Sequence, residues 1–568
     1  MSGRTSLSTR NSVLIIIAVV AVVFLPMALM GIPDGYDLMQ HMRFAASYEH
    51  AILTGEIIPK WGGPDNFGFG SIGVRYYPPL AYIVIALVHI VTGDWYTSFW
   101  TTAFAWILAG TLGMFFWTRE HASSAAALAA AIVYVLIPFH TFEIYQAVLY
   151  SEFAATGLLP FCFLFLTRVC RGRLWSDVAF FAIFYSLLML THIPSIMIAT
   201  AGMMVYALAM IEWRRLGDHV LKFAAAFAFA AAATAFHFAK VITELGWVQH
   251  NSPRYFASGS YDYRGLLFPI YLTAPYIRYV QKILWNLDAI VIFTVLIFVI
   301  GAVAILVMRR RVPADERRMS LAIGITGMLS IFMLSAASMW VWAALTTLQK
   351  IQFPWRWLEL TSVMAAAIIG IAAPSLLMRN DRLRRVVAYP LLALLLAVVL
   401  FDVSQQIIPS SPLSRTQFQQ KIDSMNDEEA CDCWWPIWAR REAFDDRTAT
   451  AADRAATIAA RTDEHLTVAV APGSSTVLRL PIFYHPYWHA DVNGSASEVL
   501  PDPNGAVTLN IPADTTTVHL DFTEPPYLAP LRYLALIAWL TALAFTLTLA
   551  ARLLVSKESA RRIAQTQV

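Results

Sequence analysis

The chain has 568 residues, of which 58% are apolar and only 14% are charged. Soluble domains carry roughly 25% charged residues, so this composition excludes a soluble protein and predicts an integral membrane protein. The net charge of +3 is too small to indicate nucleic-acid binding. The basic residues instead form short clusters between apolar runs, which is typical of loops on the cytoplasmic side of a membrane.

The first apolar segment runs from Val13 to Met30 and follows Arg4 and Arg10. It is longer than the core of a signal peptide, and no small-residue cleavage site follows it. We therefore expect it to be the first membrane span, with the N-terminus inside.

A membrane-crossing helix needs about 20 apolar residues. Candidate crossings lie at 13–31, 97–117, 122–139, 154–170, 176–193, 195–213, 220–243, 286–308, 319–345, 357–378, 386–402 and 528–554. Arginine clusters at 168–173, 214–215, 309–311 and 379–385 then fall on alternate loops, which predicts that these loops face the cytoplasm. The short apolar segment Pro79–Val91 would reverse this alternation, so it is predicted to be re-entrant or interfacial.

This topology predicts that most of the unusual polar segments share the outer face of the membrane. They are the long first loop at 32–95, the short loop at 140–152, and the segments 191–194, 244–285 and 349–357. A site at that face could therefore combine residues that lie far apart in the chain.

The apolar runs stop between about 402 and 527, where we expect a separate β-sandwich-like domain outside the membrane. Alternating residues predict strands at Leu466–Val470, Thr476–Tyr484, Ala506–Ile511 and Thr517–Phe522, with turns at Asn493-Gly494 and Asn504-Gly505. The chain thus divides into a transmembrane domain at 1–401, the β-rich domain at 402–527, and a last span with a cytoplasmic tail at 528–568. Cys431 and Cys433 are too isolated for a metal site and too close for an easy disulfide, so the sequence assigns them no chemistry.

Asp37 is predicted to begin a helix in the first outer loop. A carboxylate in that position can cap the helix and is favoured by its dipole, which is a purely structural role. Asp37 and His41 are also four residues apart, so both project from one helical face. That pairing suits a metal ion, or a general base with an orienting partner, and both roles stay open.

The short outer loop contributes His140, Glu143 and Glu152 at a membrane boundary. Carboxylates there are costly unless they are solvated, paired or bound to metal. For Glu152, a functional role and ordinary solvation at the membrane interface are weighed evenly. Glu143 is predicted to be solvated at the interface. His192, between two spans, suits a packing role as well as a ligand role.

Two arginines are predicted outside, where topology does not require a positive charge. Arg356 lies in Gln352-Phe353-Pro354-Trp355-Arg356 at a span boundary, and Arg75 lies beside the segment that begins at Pro79. A guanidinium in either place suits an anionic headgroup or a phosphate. Carboxylates and arginines on one face have the parts needed to displace a phosphate leaving group.

The layout resembles the GT-C superfamily of membrane glycosyltransferases, which share a long first outer loop with an acidic residue, an acidic second outer loop, and often a soluble C-terminal domain. Within it, the sequence is similar to the bacterial "6-pyruvoyl-tetrahydropterin synthase-related" membrane proteins, a label that does not imply pterin chemistry. The matching motifs are Gly35-Tyr36-Asp37 to His41, Pro59-Lys60-Trp61, Asn66-Phe67-Gly68, Tyr76-Tyr77-Pro78-Pro79-Leu80, Tyr150-Ser151-Glu152-Phe153, Gln352-Phe353-Pro354-Trp355-Arg356 and Tyr487-Trp488-His489-Ala490-Asp491-Val492-Asn493-Gly494.

The resemblance implies transfer of a sugar, with inversion, from a polyprenyl-phosphate donor to a glycan, lipid or protein acceptor at the outer face of a bacterial inner membrane. Asp37 then corresponds to the general base, with Asp34 as a second choice, and Glu152 to the second-loop acid. The expected substrate-binding residues are His41, Arg75, Tyr76, Tyr77, His192 and Arg356. The second loop has no Asp-x-Asp, so a divalent cation held by Asp37, His41 and Glu152 is left open.

Two other function classes fit parts of the sequence. A transporter or flippase of lipid-linked glycans suits about a dozen spans with ionisable residues, although no inverted repeat is visible. A non-catalytic scaffold could instead bind glycan through exposed aromatic residues of the β-rich domain, such as Tyr487 and Trp488. Aromatic residues in a sandwich are more often part of its core.

Overall fold

The computed structural model describes residues 7–566, except 173, 257–258, 271–277, 309–313, 378–392, 394–396, 398–399, 402, 406, 409 and 453. The predicted span at 386–402 therefore lies, apart from scattered positions, outside the described residues. The arginines at 173, 309–311 and 379–385 lie outside them as well.

The helices occur in the following order. They are α1 Thr9–Met30, α2 Leu38–Leu53, α3 Gly73–Tyr76, α4 Leu80–Thr92, α5 Trp95–Arg119, α6 Ser124–Leu136, α7 Pro138–Phe142, α8 Tyr150–Cys170, α9 Trp175–Met189, α10 Ile193–Met210, α11 Leu216–Glu244, α12 Pro253–Phe256, α13 Arg278–Met308, α14 Ala314–Leu334, α15 Met339–Ala344, α16 Leu358–Leu377, α17 Arg415–Ser424 and α18 Leu528–Thr566.

Within the described part of the chain, 10 helical segments are long and apolar enough to cross a membrane. They correspond to ten of the predicted crossings. The predicted crossing at 176–193 is the shorter helix α9, which ends at Met189, and the predicted crossing at 319–345 is split because α14 ends at Leu334. The segment predicted to be re-entrant or interfacial forms α4, whose 13 residues are too few to span a bilayer.

Helices α8 and α16 carry the most deeply buried spans of the described bundle. Glycines allow α8 to pack closely against α5, because a Cβ on Gly110 would lie 2.5 Å from the carbonyl oxygen of Thr156. A Cβ on Gly157 would likewise lie 2.6 Å from the carbonyl oxygen of Trp106. Small residues at helix crossings are the usual means of close packing between membrane spans.

The β-rich region before the last helix contains two antiparallel sheets. Its strands are β3 Ala456–Arg461, β4 His465–Val470, β5 Thr476–Phe483, β6 Trp488–Val492, β7 Ser495–Ser497, β8 Leu500–Pro501, β9 Ala506–Ile511 and β10 Thr517–Phe522, and a short pair joins β1 Ile32–Pro33 to β2 Pro412–Leu413. The sheet orders are β3-β4-β10-β6-β7 and β5-β9-β8. The fold is therefore a polytopic helical membrane protein with a β-rich region before its final helix, as predicted.

The loop between α2 and α4 packs into the β-rich region. The Phe483 amide donates to the Phe69 carbonyl at 2.8 Å, and the ring of Trp61 lies 5.5 Å from those of Trp488 and Phe522. Trp488 is buried, and the Tyr487 hydroxyl donates to Glu244 at 3.0 Å. These aromatic residues thus belong to the core and the interface of the region, and do not form an exposed platform for glycan.

Candidate functional site

A cavity of about 590 Å³ lies where the β-rich region meets the bundle. We refer to this side as the β-rich end of the bundle. The cavity is bounded by the start of α2, the start of α10, the end of α11 and the turn before α16. Its lining includes Asp37, His41, Tyr76, Tyr77, His192 and Arg356 among the residues predicted from the sequence.

Asp37 stands directly before α2, as predicted, but its carboxylate does not cap the helix. The side chain instead faces the cavity, and no group of the described residues donates a hydrogen bond to it. Burial, reinforced by the charge of Glu152 and opposed by that of Arg356, raises the pKa of Asp37 to about 6. A carboxyl with that pKa can take up a proton near neutral pH, which is the property required of a general base.

His41 lies one turn along α2, and its ring is fixed by aromatic neighbours. Its Nδ1 lies 2.6 Å from the Tyr82 hydroxyl, which in turn accepts a hydrogen bond from Ser151 at 3.0 Å. Burial and the nearby Arg356 lower the pKa of His41 to about 3. His41 is therefore neutral at physiological pH and contributes a hydrogen-bonding edge to the cavity wall.

Arg356, which lines the cavity, forms a buried ion pair with Glu152 beside it, and its Nε donates to the Glu152 carboxylate at 2.7 Å. The Arg356 Nη1 donates to the Ile351 carbonyl and to the Gln352 amide oxygen, both at 2.8 Å. Gln352 has a φ of 71° and a ψ of −58° and is the central residue of a γ-turn, in which the Phe353 amide donates to the Ile351 carbonyl at 2.9 Å and the chain turns back toward the arginine. Two elements distant in sequence thus hold one guanidinium in a fixed orientation.

A chain of side-chain hydrogen bonds lies next to this ion pair. The Nδ1 of His192 lies 2.7 Å from the Ser195 hydroxyl, which donates to the Glu359 carboxylate at 2.7 Å. One ligand atom each from Glu152, His192 and Glu359 lie within 4.8 Å of one another. We call these three residues the Glu152–His192–Glu359 cluster.

Among the described residues, this cluster is the group of three or more His, Cys, Asp or Glu side chains placed to hold a metal ion. Of the metal ligands predicted from the sequence it includes Glu152, whereas Asp37 and His41 lie outside it. Sequence analysis missed Glu359, although an acidic residue inside an apolar span is the signal that could have revealed it.

The prediction that Glu143 is solvated at the interface is wrong. Its side chain is 0% exposed and lies 3.2 Å from His140. The reason is a π-helical turn at Glu143–Ala147, which folds the loop into the protein. Glu143 is consequently close enough to interact electrostatically with both Glu152 and Glu359.

The structure does not bring three of the predicted residues into the cavity lining. Glu152 is buried beside the lining, where it pairs with Arg356. Asp34 is exposed and pairs with Lys421 at 2.8 Å. Arg75 is fully buried, donates to Glu244 at 2.6 and 2.9 Å, and also contacts Glu524. It therefore joins α11 to the segment before α18.

A loop of the β-rich region, residues 428–434, covers the cavity, and we call it the roof loop. The ring of Trp434 stacks on His250 with centroids 4.4 Å apart and also packs against Tyr77. Cys431 and Cys433 are joined by a disulfide within this loop, so the expectation that their spacing disfavours a bond is wrong. No motif in the sequence indicated that this distant segment would cover the site.

A family model described as "6-pyruvoyl-tetrahydropterin synthase related domain; membrane protein" matches residues 74–410 of the chain. No curated protein matches the sequence.

Three solved structures are similar in arrangement. The arabinofuranosyltransferase AftD from Mycobacteria has 16% identity and a TM-score of 0.43, with 74% of this chain and 28% of that chain covered. ArnT from Cupriavidus metallidurans bound to undecaprenyl phosphate has 12% identity and a TM-score of 0.39, with 74% and 76% covered. The oligosaccharyltransferase from Archaeoglobus fulgidus in the apo form has 12% identity and a TM-score of 0.43, with 72% and 57% covered. The chain thus spans little more than a quarter of the length of AftD.

Proposed function

The chain belongs to the 6-pyruvoyl-tetrahydropterin synthase related family of membrane proteins, and we propose that it is an inverting membrane glycosyltransferase that uses a polyprenyl-phosphate sugar donor. The observation that carries this proposal is the Asp37 carboxyl, which faces the cavity with a pKa raised to about 6. It stands in the same cavity as a fixed guanidinium, that of Arg356. A base and a cation in one cavity are the two groups that displacement of a phosphate requires.

In the proposed step, an acceptor hydroxyl gives its proton to Asp37 as its oxygen attacks the anomeric carbon of the donor sugar. The new carbon–oxygen bond forms while the bond between that carbon and the phosphate oxygen breaks. The electron pair leaves with the polyprenyl phosphate, whose charge is stabilised by Arg356. Attack opposite the leaving group inverts the anomeric configuration. His192, Tyr76 and Tyr77, which also line the cavity, are proposed to orient the phosphate and the sugar.

An amphiphilic donor fits the two kinds of wall that the cavity has. Apolar residues at the ends of two spans line one part of it, including Ile193, Pro194, Val241 and Leu245. Charged and aromatic residues line the rest. This arrangement supports a substrate whose lipid portion stays with the spans while its phosphate and sugar reach the polar groups.

We further propose that the cavity opens on the outer side of a bacterial inner membrane, as the arginine clusters indicate. The buried ionisable residues Glu143, Glu152 and Glu359 lie at the β-rich ends of their spans. A transporter that relays protons would instead place such residues near the middle of the membrane.

The test uses purified protein in nanodiscs and undecaprenyl phosphate sugars labelled in the sugar, with water as the acceptor. We expect slow release of free sugar by the wild type and a loss of about 100-fold or more in Asp37→Asn, because removing a general base costs that much. Asp65→Asn, which changes a buried carboxylate of the same long loop outside the cavity lining, is the matched control. Equal turnover by Asp37→Asn and the wild type would contradict the proposal. In sealed proteoliposomes, donor movement across the membrane without sugar release would favour a flippase.

A further inference from the structure

The Glu152–His192–Glu359 cluster combines a shortage of positive charge with unused ligand atoms. All three side chains are at least nine-tenths buried. Glu152 uses one carboxylate oxygen for Arg356 and Glu359 uses one for Ser195. The other oxygen of each, Oε1 of Glu152 and Oε2 of Glu359, is buried without a donor from any other described residue, and the two carboxyl groups lie within hydrogen-bonding reach of each other. Such atoms are costly to bury unless something neutralises them.

The charges that face one another here do not balance. Three buried carboxyl groups, those of Glu143, Glu152 and Glu359, and the nearby Asp37 carboxyl interact with a single guanidinium, that of Arg356. Even with Asp37 left out, the three carboxylates exceed the guanidinium by two negative charges, which either one divalent cation or two bound protons would neutralise. Glu143 also has a carboxylate oxygen without a partner among the described residues.

The donor set favours the ion over the protons. His192 uses Nδ1 for Ser195, so its second nitrogen, Nε2, remains available as a ligand. One imidazole nitrogen and two carboxylate oxygens suit a borderline divalent metal such as Mn²⁺ or Zn²⁺. The Ser195 hydroxyl, held between His192 and Glu359, fixes the orientation of both ligands, as outer-shell partners of metal sites do.

We propose that this cluster is a divalent metal site, with Glu152, His192 and Glu359 as its protein ligands. Metal–ligand bonds of about 2.1 Å hold ligand atoms roughly 3 to 4 Å apart. The three ligand atoms lie within 4.8 Å of one another, so small side-chain rotations bring them to an ion. Of the three ligands, His192 lines the cavity, so the open coordination positions of the ion would be on that side.

A catalytic use for the ion rests on the proposed function, because a cation in this place would bind the donor phosphate beside Arg356. Binding of the ion does not depend on that function, since it is measured on resting protein without a donor. The two proposals can therefore fail separately.

The experiment measures Mn²⁺ and Zn²⁺ bound to chelator-stripped protein in nanodiscs by equilibrium dialysis and mass spectrometry. We expect about one ion per chain, and an affinity at least about 10-fold lower in Glu359→Gln and in His192→Gln. His237→Gln, which changes a buried histidine of α11 outside the cluster, should bind as the wild type does. Electron spin echo spectroscopy of the Mn²⁺ form should show coupling to one imidazole nitrogen that is lost in His192→Gln.

Failure of the wild type to retain either ion would overturn the inference, and so would equal binding by Glu359→Gln. Protonated-carboxyl bands in the infrared spectrum that persist at saturating metal would show that protons neutralise the cluster, and would overturn it as well. Asp37→Asn should keep its ion while it loses turnover, because Asp37 is outside the cluster.

Discussion

Replacing Arg75 by methionine is expected to weaken the connection between the bundle and the β-rich region. The guanidinium donates to Glu244 at 2.6 and 2.9 Å and also contacts Glu524. The Arg75 and Glu244 side chains are both 0% exposed. Methionine keeps the length of the side chain but leaves the Glu244 carboxylate without its main partner, whereas Glu524 keeps Arg532 and Lys240.

Removing one member of a buried ion pair usually costs about 3–5 kcal/mol. Here Lys240 still lies 3.3 Å from Glu524, and the Tyr487 hydroxyl still donates to Glu244. We therefore expect the free energy of unfolding to fall by an amount near the lower end of this range, about 3 kcal/mol. The double variant Arg75→Met with Glu244→Gln removes the uncompensated charge as well, so it should be more stable than Arg75→Met alone.

The assay is pulse proteolysis of the β-rich region in nanodiscs across a urea series. The wild type, both single variants and the double variant complete the thermodynamic cycle. A loss below about 1 kcal/mol in Arg75→Met, as for an exposed ion pair, would refute the reasoning. Strict additivity of the two substitutions would refute it too, because it would mean that the two groups do not interact.

Three further predictions concern the cavity and the β-rich region. Turnover of the donor should fall as the pH drops through about 6, because Asp37 must be ionised to accept a proton. Arg356→Gln should move the midpoint of this pH profile to higher pH, since the arginine lowers the Asp37 pKa. A midpoint that does not move would show that ionisation of Asp37 does not set the pH profile. Gly73→Ala should lower the thermal unfolding midpoint, because the added Cβ would lie 2.7 Å from the Trp434 ring, at a typical cost of about 1–3 kcal/mol. Gly217→Ala, where an added Cβ meets nothing within 4 Å, should cost less. Arg454→Met should destabilise the β-rich region in the same proteolysis assay, since Arg454 donates to the carbonyls of four residues; unchanged protection would contradict this.

The arrangement of spans and strands could be predicted because it follows from local patterns. Apolar runs of about 20 residues identify membrane helices, and period-two alternation located β4, β5, β9 and β10 to within one residue. The prediction was weaker where tertiary contacts determine the residue at which a helix ends. Helix α14, for example, stops at Leu334 because the chain turns through hydrogen bonds of Ser335 and Ser338.

The site could be predicted only in part. Asp37, His41, His192 and Arg356 stood out because ionisable residues are rare at membrane boundaries, and all four line the cavity. Arg75 stood out for the same reason, but the sequence does not show that Glu244 and Glu524 are its partners. The roof loop could not be predicted, because contacts between residues far apart in the chain leave no local pattern. The Ala430 amide and Asn66, for example, are 364 positions apart.

Cysteine labelling tests the central claim most directly, namely that one cavity at the outer face binds the donor. The native cysteines should not interfere, because Cys162 and Cys170 are buried and the other two are bonded. Ser260→Cys places a thiol in the cavity lining, and Leu174→Cys places one on an exposed loop at the opposite end of the bundle. In intact spheroplasts, a membrane-impermeant maleimide should label Ser260→Cys but not Leu174→Cys, and an undecaprenyl phosphate sugar should protect the first thiol. Labelling of Leu174→Cys alone, or labelling of Ser260→Cys that the donor does not slow, would contradict the account.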